Sequence, residues 1–271
     1  MNEDDQMKYY PKISIITISY NSEKTIERTI KSVIDQHYDK LEYIIVDGGS
    51  KDSTVDIIKK YDQYISKWIS EKDHGISDAF NKGIKMASGE IIGIINSDDG
   101  YLPNAFNKLA RHYDSKVDVY KGNIIFWNEK TGKRIREKPS KKMRYSGIGL
   151  RLCHQGTFVR KDAYERFGVF DEKLRYNMDL DLLFRFERNG AQFKFVDEDL
   201  AYFTMEGVTF EQTTEKQMDE MKAIIVKNGG NAFDILTYSV VKRIKMFIKE
   251  TVGIDRVLYF KNLRTNVKRE Q

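Results

Sequence analysis

Two adjacent aspartates, Asp98 and Asp99, follow the apolar run 91–96 and stand directly before Gly100. Paired carboxylates at the end of a buried strand repel one another unless a positive charge lies beside them. A divalent cation such as Mn²⁺ or Mg²⁺ prefers oxygen ligands and keeps coordination positions for substrate phosphates. A turn is the alternative, because Ser-Asp-Asp-Gly is also good turn chemistry. The pair therefore indicates a metal site or a tight turn.

The elements that position this pair can be predicted from the first hundred residues. Apolar, β-rich runs at 12–21, 41–47, 64–73 and 91–96 alternate with helical patterns at 22–38, 53–61 and 75–88. Such alternation predicts βαβ crossovers and a mostly parallel sheet, whose ligands bind beyond the carboxyl ends of the strands. We therefore expect residues 18–21, 47–50, 71–75 and 96–100 to meet at one edge, which favours the metal site over the turn.

Capping residues predict where the first two helices begin. Ser22 is expected to cap the first helix. Ser53 and Asp56 have capping-box spacing at the start of the second, with Asp in place of the usual Glu or Gln.

The second half of the chain is less regular. A hairpin is predicted between 117–128 and 133–139, followed by a strand at 156–160, a short helix, a helix near 179–188 and a strand at 192–203. From about residue 215 the pattern is helical.

The C-terminal stretch 238–269 is basic and amphipathic. It places apolar side chains on one helical face and Lys/Arg on the other; the apolar ones are Val240, Val241, Ile244, Phe247 and Ile248. Such a stretch fits docking on an anionic membrane surface. The alternative is a helix packed on the domain with a basic outer face.

Composition bounds the class of protein. The chain has 271 residues, 40% of them hydrophobic, which allows one large domain or a domain with an appendage. The single cysteine, Cys153, excludes a disulfide framework and a multi-cysteine zinc site. The acidic N-terminus does not have the apolar core of a signal peptide, and no run approaches the roughly 18 apolar residues of a spanning helix. We therefore expect a cytoplasmic protein, with the inner face of the cytoplasmic membrane as a peripheral location.

The charge is unevenly distributed. The net charge is +5, and residues 240–271 carry nine Lys/Arg and three Asp/Glu, or +6, so the remainder carries −1. A body without net positive charge argues against nucleic-acid binding.

The loop after the second strand, "VDGGSKDST", does not match a Walker loop, and no GxGxxG fingerprint is present. Its plain interpretation is a tight strand-to-helix turn in which Asp47 can still accept hydrogen bonds from a base or ribose. The segment "EKDHGISDAFNKG" is either a capped helix entry or, given its density of polar groups after a strand, part of a site.

Four segments, in this order and spacing, resemble family 2 glycosyltransferases of the GT-A fold: "ISIITISYN", "IIVDGGSKDST", "DHGISDAFNKGI" followed by "ASGEIIGIINSDDGYLPNA", and "NMDLDLLFRF". The resemblance extends from residue 11 to about residue 202. The "DxGIxDAxNKG" and "HQGTFVR" variants resemble a subgroup found in bacterial surface-polysaccharide clusters.

The resemblance implies an α/β GT-A fold with a Rossmann-like, mostly parallel sheet. The transferase domain would cover 1–212, with a nucleotide-sugar half at about 11–103 and an acceptor half at about 104–212. A helical, basic extension would cover 213–271. The implied reaction is an inverting, metal-dependent transfer of a hexosyl or N-acetylhexosaminyl group. The donor would be a nucleotide sugar, expected to be a UDP-sugar, and the acceptor a hydroxyl of a glycan or lipid-linked saccharide.

The resemblance also assigns donor-site residues. Tyr20 would lie against the base, Asp99 would ligate Mn²⁺ or Mg²⁺, and Asp98 would reach ribose or metal. The remaining donor-side candidates are Ile18, Ser19, Asp47, Asp73, Asp78 and Ser97.

Two positions depart from the family pattern. Gly48 stands where many members have a second Asp, and Phe80 where many have an Arg. Asp78 and Lys82 are the candidates that compensate.

Asp179 matches the acidic catalytic motif, with Met178 in place of the usual Glu. It would act as general base on the acceptor hydroxyl. Asp181 is the second candidate for the base. The plain alternative to a catalytic role is an exposed acid in the first turn of a helix, where the helix dipole favours a carboxylate.

His154 and Gln155 are assigned to the acceptor or diphosphate side, although a histidine beside a cysteine is more often a packing residue. Cys153 is expected to be a buried small hydrophobe. Arg151 and Arg160 could touch phosphate, with solvated surface positions as the default.

Two other classes remain open. A nucleotidyltransferase would also have the α/β sheet and carboxylates that bind a metal. It would normally have a Gly-rich loop after the first strand, and "TISYNSEKT" has no glycine there. A non-catalytic, membrane-associated scaffold of the same fold is suggested by the departures at Gly48 and Met178.

Overall fold

A computed structural model describes residues 9–139, 154–205 and 215–252. Within these residues nine strands form one sheet: β1 (Ile13–Ser19), β2 (Leu41–Asp47), β3 (Lys67–Ser70), β4 (Ile91–Asn96), β5 (Gly100–Tyr101), β6 (Val119–Trp127), β7 (Arg134–Glu137), β8 (Thr157–Arg160) and β9 (Phe193–Thr204).

Eight α-helices accompany the strands in the described part of the chain. They are α1 (Ile26–Ile34), α2 (Thr54–Lys60), α3 (Ile76–Met86), α4 (Ala105–Arg111), α5 (Lys161–Phe167), α6 (Met178–Arg188), α7 (Glu215–Lys227) and α8 (Ala232–Val252).

The sheet has two parts. Its order is β3-β2-β1-β4-β8-β6-β9-β5, with β7 on β6. The first four strands are parallel, as the alternation predicts. The other half is mixed: β8 is antiparallel to both β4 and β6, whereas β6 and β9 are parallel. The predicted hairpin is confirmed as the antiparallel pair β6–β7.

Both faces of the parallel half are covered, because successive side chains of a strand point to opposite faces. On β1, Ile13 and Ile15 pack into a core with α1, α2 and α4, while Ile16 packs on the other face with α3, α5 and α6. This two-sided burial explains the continuous apolar runs.

Two capping predictions were wrong. Helix α1 begins at Ile26, not after Ser22, whose carbonyl instead accepts the N–H groups of Thr25 and Ile26 in a turn. Ser53 does precede α2, but its side chain makes no capping bond; Asp52 accepts from the Thr54 N–H in its place.

The C-terminal helices attach to the body through α6. Phe184 of α6 joins Met221, Ile224 and Ile225 of α7 and Tyr238 of α8 in a small apolar cluster. Among the described residues, no helix combines the length and apolar character needed to cross a bilayer.

Candidate active site

A cleft of about 1490 Å³ opens at the carboxyl ends of β1–β4. All four predicted strand-end loops contribute to its wall, which confirms their convergence at one edge. Those loop residues are Ile18, Ser19, Tyr20, Asn21, Gly48, Gly49, Ser50, Glu71, Lys72, Asp73, Asn96, Ser97 and Asp98.

Tyr20 is the most accessible of the cleft residues predicted to bind the donor. Its side chain is 62% exposed, so its ring is free to lie against a flat ligand. Ser97 is largely buried in the cleft wall and donates a hydrogen bond to the Ser22 hydroxyl at 2.7 Å. Ser22 thus serves the site rather than the helix start.

Asp47 lies beneath the cleft and does not border it. It is fully buried, and its carboxylate accepts five hydrogen bonds, from Ser19, Gly49, Ser70 and twice from Ser50. A carboxylate offers about four lone-pair positions, so no acceptor capacity is left for a base or ribose. The predicted direct contact with the nucleotide is therefore corrected: Asp47 shapes the loop that carries Gly48 and Gly49.

Asp73 occupies the space that a side chain at Gly48 would fill. A Cβ built on Gly48 would lie 2.5 Å from Asp73 Oδ2 and 3.4 Å from the Tyr20 ring. Asp73 Oδ1 accepts the N–H of Gly75 at 3.0 Å, which fixes the carboxylate at the cleft wall. A carboxylate is thus present where the family pattern has a second aspartate, but it comes from the β3–α3 loop.

Asp78 does not line the cleft, which corrects its assignment to the donor. Its Oδ2 accepts the His74 N–H at 2.9 Å and pairs with Lys82 at 3.3 Å. These contacts lower the pKa of the Asp78 carboxyl, with the His74 N–H as the largest cause. Lys82 also pairs with Glu71, so both residues stabilise the loop before α3.

Asp98 and Asp99 face different surroundings. Asp98 is half-buried and borders the cleft, whereas Asp99 is fully buried behind it. Asp99 accepts hydrogen bonds from the Thr204 N–H at 2.9 Å and from Gln155 Nε2 at 2.7 Å. The structure therefore presents Asp98, rather than the predicted Asp99, as the first carboxylate a cation in the cleft would meet.

Burial raises the pKa of both carboxyl groups, and the neighbouring Asp98 raises that of Asp99 further. The positive group that accompanies the pair is Arg28, which lowers both pKa values. Arg28 donates from Nη2 to the Asp98 carbonyl at 2.9 Å, pairs with Glu129 and stacks on Trp127.

The sequence analysis missed Arg28, although a signal was present. It lies in the first turn of α1, where the helix dipole disfavours a cation. A basic residue at such a position indicates a local requirement for positive charge.

The site fits one divalent cation bound mainly by substrate. Among the described residues no group of three His, Cys, Asp or Glu side chains is placed to hold a metal. Asp98, with Asp99 behind it, is a donor set of one or two carboxylates. Mg²⁺ is commonly held in this way, with the remaining positions filled by phosphate oxygens and water. The pKa values of both carboxyl groups are raised by desolvation and that of Asp99 also by the charge of Asp98, and a bound cation would oppose both effects.

His154 is a half-buried residue whose ring nitrogen Nε2 is shielded from solvent. Burial lowers its pKa to about 4, and its Nε2 has no hydrogen-bond partner among the described residues. The ring packs on Phe80 at 5.6 Å between centroids. Phe80 is itself buried, so the position where many family members have an arginine is part of the core.

Gln155 also differs from its assignment to the acceptor or diphosphate side, because its amide donates a hydrogen bond to Asp99 instead of facing open space. Arg160 pairs with Asp162, which agrees with the default surface interpretation. Arg151 and Cys153 lie outside the described residues.

Asp179, at the start of α6, borders a small cavity of about 20 Å³ together with His154 and Thr157. Burial raises the pKa of the Asp179 carboxyl to about 6, while the Leu180 N–H and the buried Lys121 act in the opposite direction. Lys121 is a second residue that the sequence did not single out. A carboxyl with a pKa near 6 is suited to accept a proton at neutral pH.

Asp181 is excluded as an alternative base. It is fully buried, pairs with Lys227 of α7 at 3.1 Å and accepts from Asn228 at 3.1 Å. Its carboxylate joins α6 to the end of α7, and Asp181 lines neither the cleft nor the small cavity.

The short segment 154–155 brings the two acidic groups into one neighbourhood. Gln155 contacts Asp99, and His154 borders the same cavity as Asp179. The arrangement offers Asp98 as a carboxylate for a cation that would hold an anionic group, and Asp179 as a candidate base in the cavity that His154 also borders.

Comparison with known proteins agrees with this geometry. The family model described as Glycosyl transferase family 2 matches residues 14–174. An uncharacterised glycosyltransferase of Rickettsia typhi is 29% identical over 231 residues, covering 81% of this chain and 72% of its own length. Chondroitin synthase of Escherichia coli is 28% identical over 235 residues, covering 81% of this chain but only 32% of that protein.

Solved structures share the fold. TarS 1-349 of S. aureus in complex with UDP-GlcNAc superposes with a TM-score of 0.66 at 22% identity, covering 80% of this chain and 66% of that one. The mannosyltransferase PcManGT of Pyrobaculum calidifontis, in complex with GDP-Man and Mn²⁺, has a TM-score of 0.59 at 14% identity, with 94% and 81% covered. These similarities confirm the GT-A-like α/β fold with C-terminal helices. Since the family model covers more than half of the chain, this protein belongs to glycosyltransferase family 2.

Proposed function

We propose that the protein is a metal-dependent, inverting glycosyltransferase that uses a UDP-sugar and a hydroxyl of a glycan or lipid-linked saccharide, in bacterial polysaccharide synthesis. The observation that carries the proposal is the placement of Asp98 at the wall of the strand-end cleft, with the 154–155 segment contacting both Asp99 and the cavity that Asp179, of pKa about 6, borders. The proposal assigns the donor diphosphate to the cleft beside Asp98 and the base to Asp179 in the neighbouring small cavity.

The donor half binds the nucleotide. Tyr20 supplies an exposed ring for the base, and Asp73 supplies a carboxylate beside it. A carboxylate accepts hydrogen bonds only, so it suits the N–H edge of a uracil. The UDP-GlcNAc complex of TarS, which shares the fold, supports the choice of UDP.

The proposed cation site lies at the end of β4, beside the cleft. Asp98 would hold Mn²⁺ or Mg²⁺ with Asp99 behind it, in a site already supported by Gln155 and Thr204. Asp98 and Asp99 would hold the ion, which would supply positive charge to offset the charge of the donor diphosphate and of the departing nucleotide. Arg28 adds a fixed positive group behind the pair.

Asp179 would accept the proton of the acceptor hydroxyl as its oxygen attacks the anomeric carbon. Direct displacement inverts that carbon and requires no covalent nucleophile on the protein. Neutral His154, in the wall of the same cavity, can donate or accept a hydrogen bond without adding charge. A cytoplasmic, membrane-peripheral location near a lipid-linked acceptor remains a prediction.

Thermal unfolding with nucleotides tests the donor assignment. UDP with Mn²⁺ should raise the melting temperature, because a ligand at 100 times its Kd adds about 2.7 kcal/mol to the unfolding free energy. UDP without divalent cation should give a smaller shift, and GDP with Mn²⁺ measures base selectivity. If no nucleoside diphosphate shifts the transition, the donor site is wrongly placed.

A panel of nucleotide sugars with Mn²⁺, scored for released nucleotide, would then identify the sugar. Release from one UDP-sugar above all others is the expected result. Release that persists in Asp98→Asn at the wild-type rate would contradict the metal assignment.

A further inference from the structure

Helix α8 carries a continuous row of exposed apolar side chains. The row, which we call the α8 stripe, is 47–73% exposed and consists of Phe233, Leu236, Val240, Ile244 and Phe247. Spacings of three and four residues place these side chains on one face of the helix. From Phe233 to Phe247 the stripe runs along roughly 21 Å of the helix axis, at 1.5 Å per residue.

The stripe is not the face by which α8 attaches to the protein. Tyr238 and Ile235 pack on α6 and α7 in the small apolar cluster, on the opposite side of the helix. Within the described residues, every exposed Phe, Leu and Ile lies on this one helix, and Val226 of α7 adds a further exposed side chain. A concentration of this kind marks an interaction surface.

Charge indicates what the surface binds. Arg243 is exposed at the edge of the stripe, and Lys242, Lys245 and Lys249 belong to the same helix. Residues 240–271 carry a net charge of +6, against −1 for the rest of the chain. An apolar face combined with local positive charge is the pattern of a helix that lies in the interface of an anionic bilayer.

We propose that α8 binds the surface of an anionic membrane, with the α8 stripe inserted at the level of the headgroups. A second copy of the chain is a poorer occupant, because each copy would bring its own +6 segment to the shared interface. A bilayer containing anionic lipid offsets that charge and covers the stripe at once. The inference does not rest on the transferase reaction, since membrane binding requires neither donor nor metal.

Co-sedimentation of the full chain with vesicles tests the inference. The wild type should bind vesicles of phosphatidylglycerol and phosphatidylcholine and bind phosphatidylcholine vesicles weakly. The double variant Ile244→Gln, Phe247→Gln should bind at least about tenfold more weakly, since two exposed apolar side chains are replaced by a good helix former. Tyr64→Gln, which removes an exposed aromatic ring from the Asp62–Tyr64 turn, is the matched control and should bind as the wild type.

Circular dichroism melting of both variants should match the wild type, because the substituted side chains are solvent-exposed. Equal vesicle binding by wild type and double variant would overturn the inference. So would a wild type that ignores vesicles but forms a dimer, by light scattering, that the double variant loses. If only a chain that ends at residue 252 bound vesicles, the natural partner of the α8 stripe would be the segment 253–271. That result would also overturn the inference.

Discussion

The aspartates of this site differ in what surrounds each carboxylate. Asp47 and Asp181 are fully buried and fully engaged by protein partners, so they hold loops and helices in place. Asp98 and Asp179 have a raised pKa because burial is not matched by a nearby cation of equal strength. The second group is the one that a ligand or a proton can still satisfy.

The role of Asp179 can be tested with Asp179→Asn. The variant should retain UDP binding and lose nearly all transfer, which single-turnover kinetics and calorimetric titration would measure separately. Transfer at more than a few per cent of the wild-type rate would exclude Asp179 as the base.

The same substitution should stabilise the protein at neutral pH. The folded-state pKa of Asp179 is about 6, against about 4 when unfolded, so the folded state holds a proton that the unfolded state releases between these values. Stability from this group therefore falls as pH rises from about 4 to 6. Asn does not ionise, and we expect a melting temperature a few degrees higher at pH 7 and little difference at pH 4. A lower melting temperature at pH 7 would contradict the burial argument.

The transfer rate should depend on the same ionisation. With saturating donor and metal, the rate should fall about tenfold per unit as pH drops below about 6, because protonated Asp179 cannot accept a proton. A profile that is flat to pH 4.5 would point to a different base.

Asp73 can be tested by moving the carboxylate between two positions. Asp73→Ala should weaken UDP binding by about 1–3 kcal/mol, the usual cost of a lost hydrogen bond to a buried or charged group. Gly48→Asp alone should also weaken it, since its Cβ would meet Asp73 Oδ2 at 2.5 Å. The double variant Gly48→Asp, Asp73→Ala should recover part of the affinity; no recovery would show that the two sites are not equivalent.

At this scale the sequence predicts residue types better than their orientation. The motif supplied Asp98 and Asp99 together, but only the fold decides that Asp98 borders the cleft. The partners that hold Asp99 inside, Gln155 and Thr204, are distant in sequence. No local pattern encodes such contacts.

Among the elements, helix α6 both carries the proposed base and anchors the C-terminal helices. Its first turn carries Asp179, and its buried Asp181 binds Lys227 and Asn228 at the end of α7. The C-terminal helices are therefore fixed to the helix that bears the proposed base.

Asp181→Ala should destabilise the chain by about 1–2 kcal/mol, because it removes the buried carboxylate that binds both Lys227 and Asn228, although Lys227 keeps its pair with Asp171. Asp219→Ala is the matched control: it breaks an exposed pair with Lys222 on α7 and should cost at most ~0.5 kcal/mol. Urea unfolding measures both. Equal effects would mean that the Asp181 contacts do not support the α6–α7 junction.

The predicted elements are accurate where burial is two-sided. Runs that became β1, β2 and β4 are continuous and apolar, and α3 and α6 begin within a residue or so of their predicted starts. The prediction omits β5 and α4, because a two-residue strand and a seven-residue helix are too short to show periodicity. Helix α1 begins later in the chain than predicted, because Ser22 lies in the cleft wall instead of capping the helix.

For the molecule as a whole, the parallel half is predictable and the mixed half is not. The pairs β1–β2 and β2–β3 each join consecutive strands through one crossover, and β4 then adds to the free edge of β1, so the alternation of strands and helices is enough to predict parallel pairing. In the other half, β8 inserts between β4 and β6, and the β6–β9 register shifts near Asn123. These pairings depend on contacts across long stretches of chain.

The origin of the Asp73 carboxylate has a consequence for how selectivity can change. A carboxylate at a strand end is held by neighbouring strands and can move little without disturbing the sheet. Asp73 instead belongs to the segment between β3 and α3, where the Gly75 N–H is its one hydrogen-bond partner among the described residues. Substitutions or insertions in that segment could move the Asp73 carboxylate by about an ångström and change the nucleotide preference, while the packing of the core stays intact. Engineering for alternative donors can therefore begin with this segment.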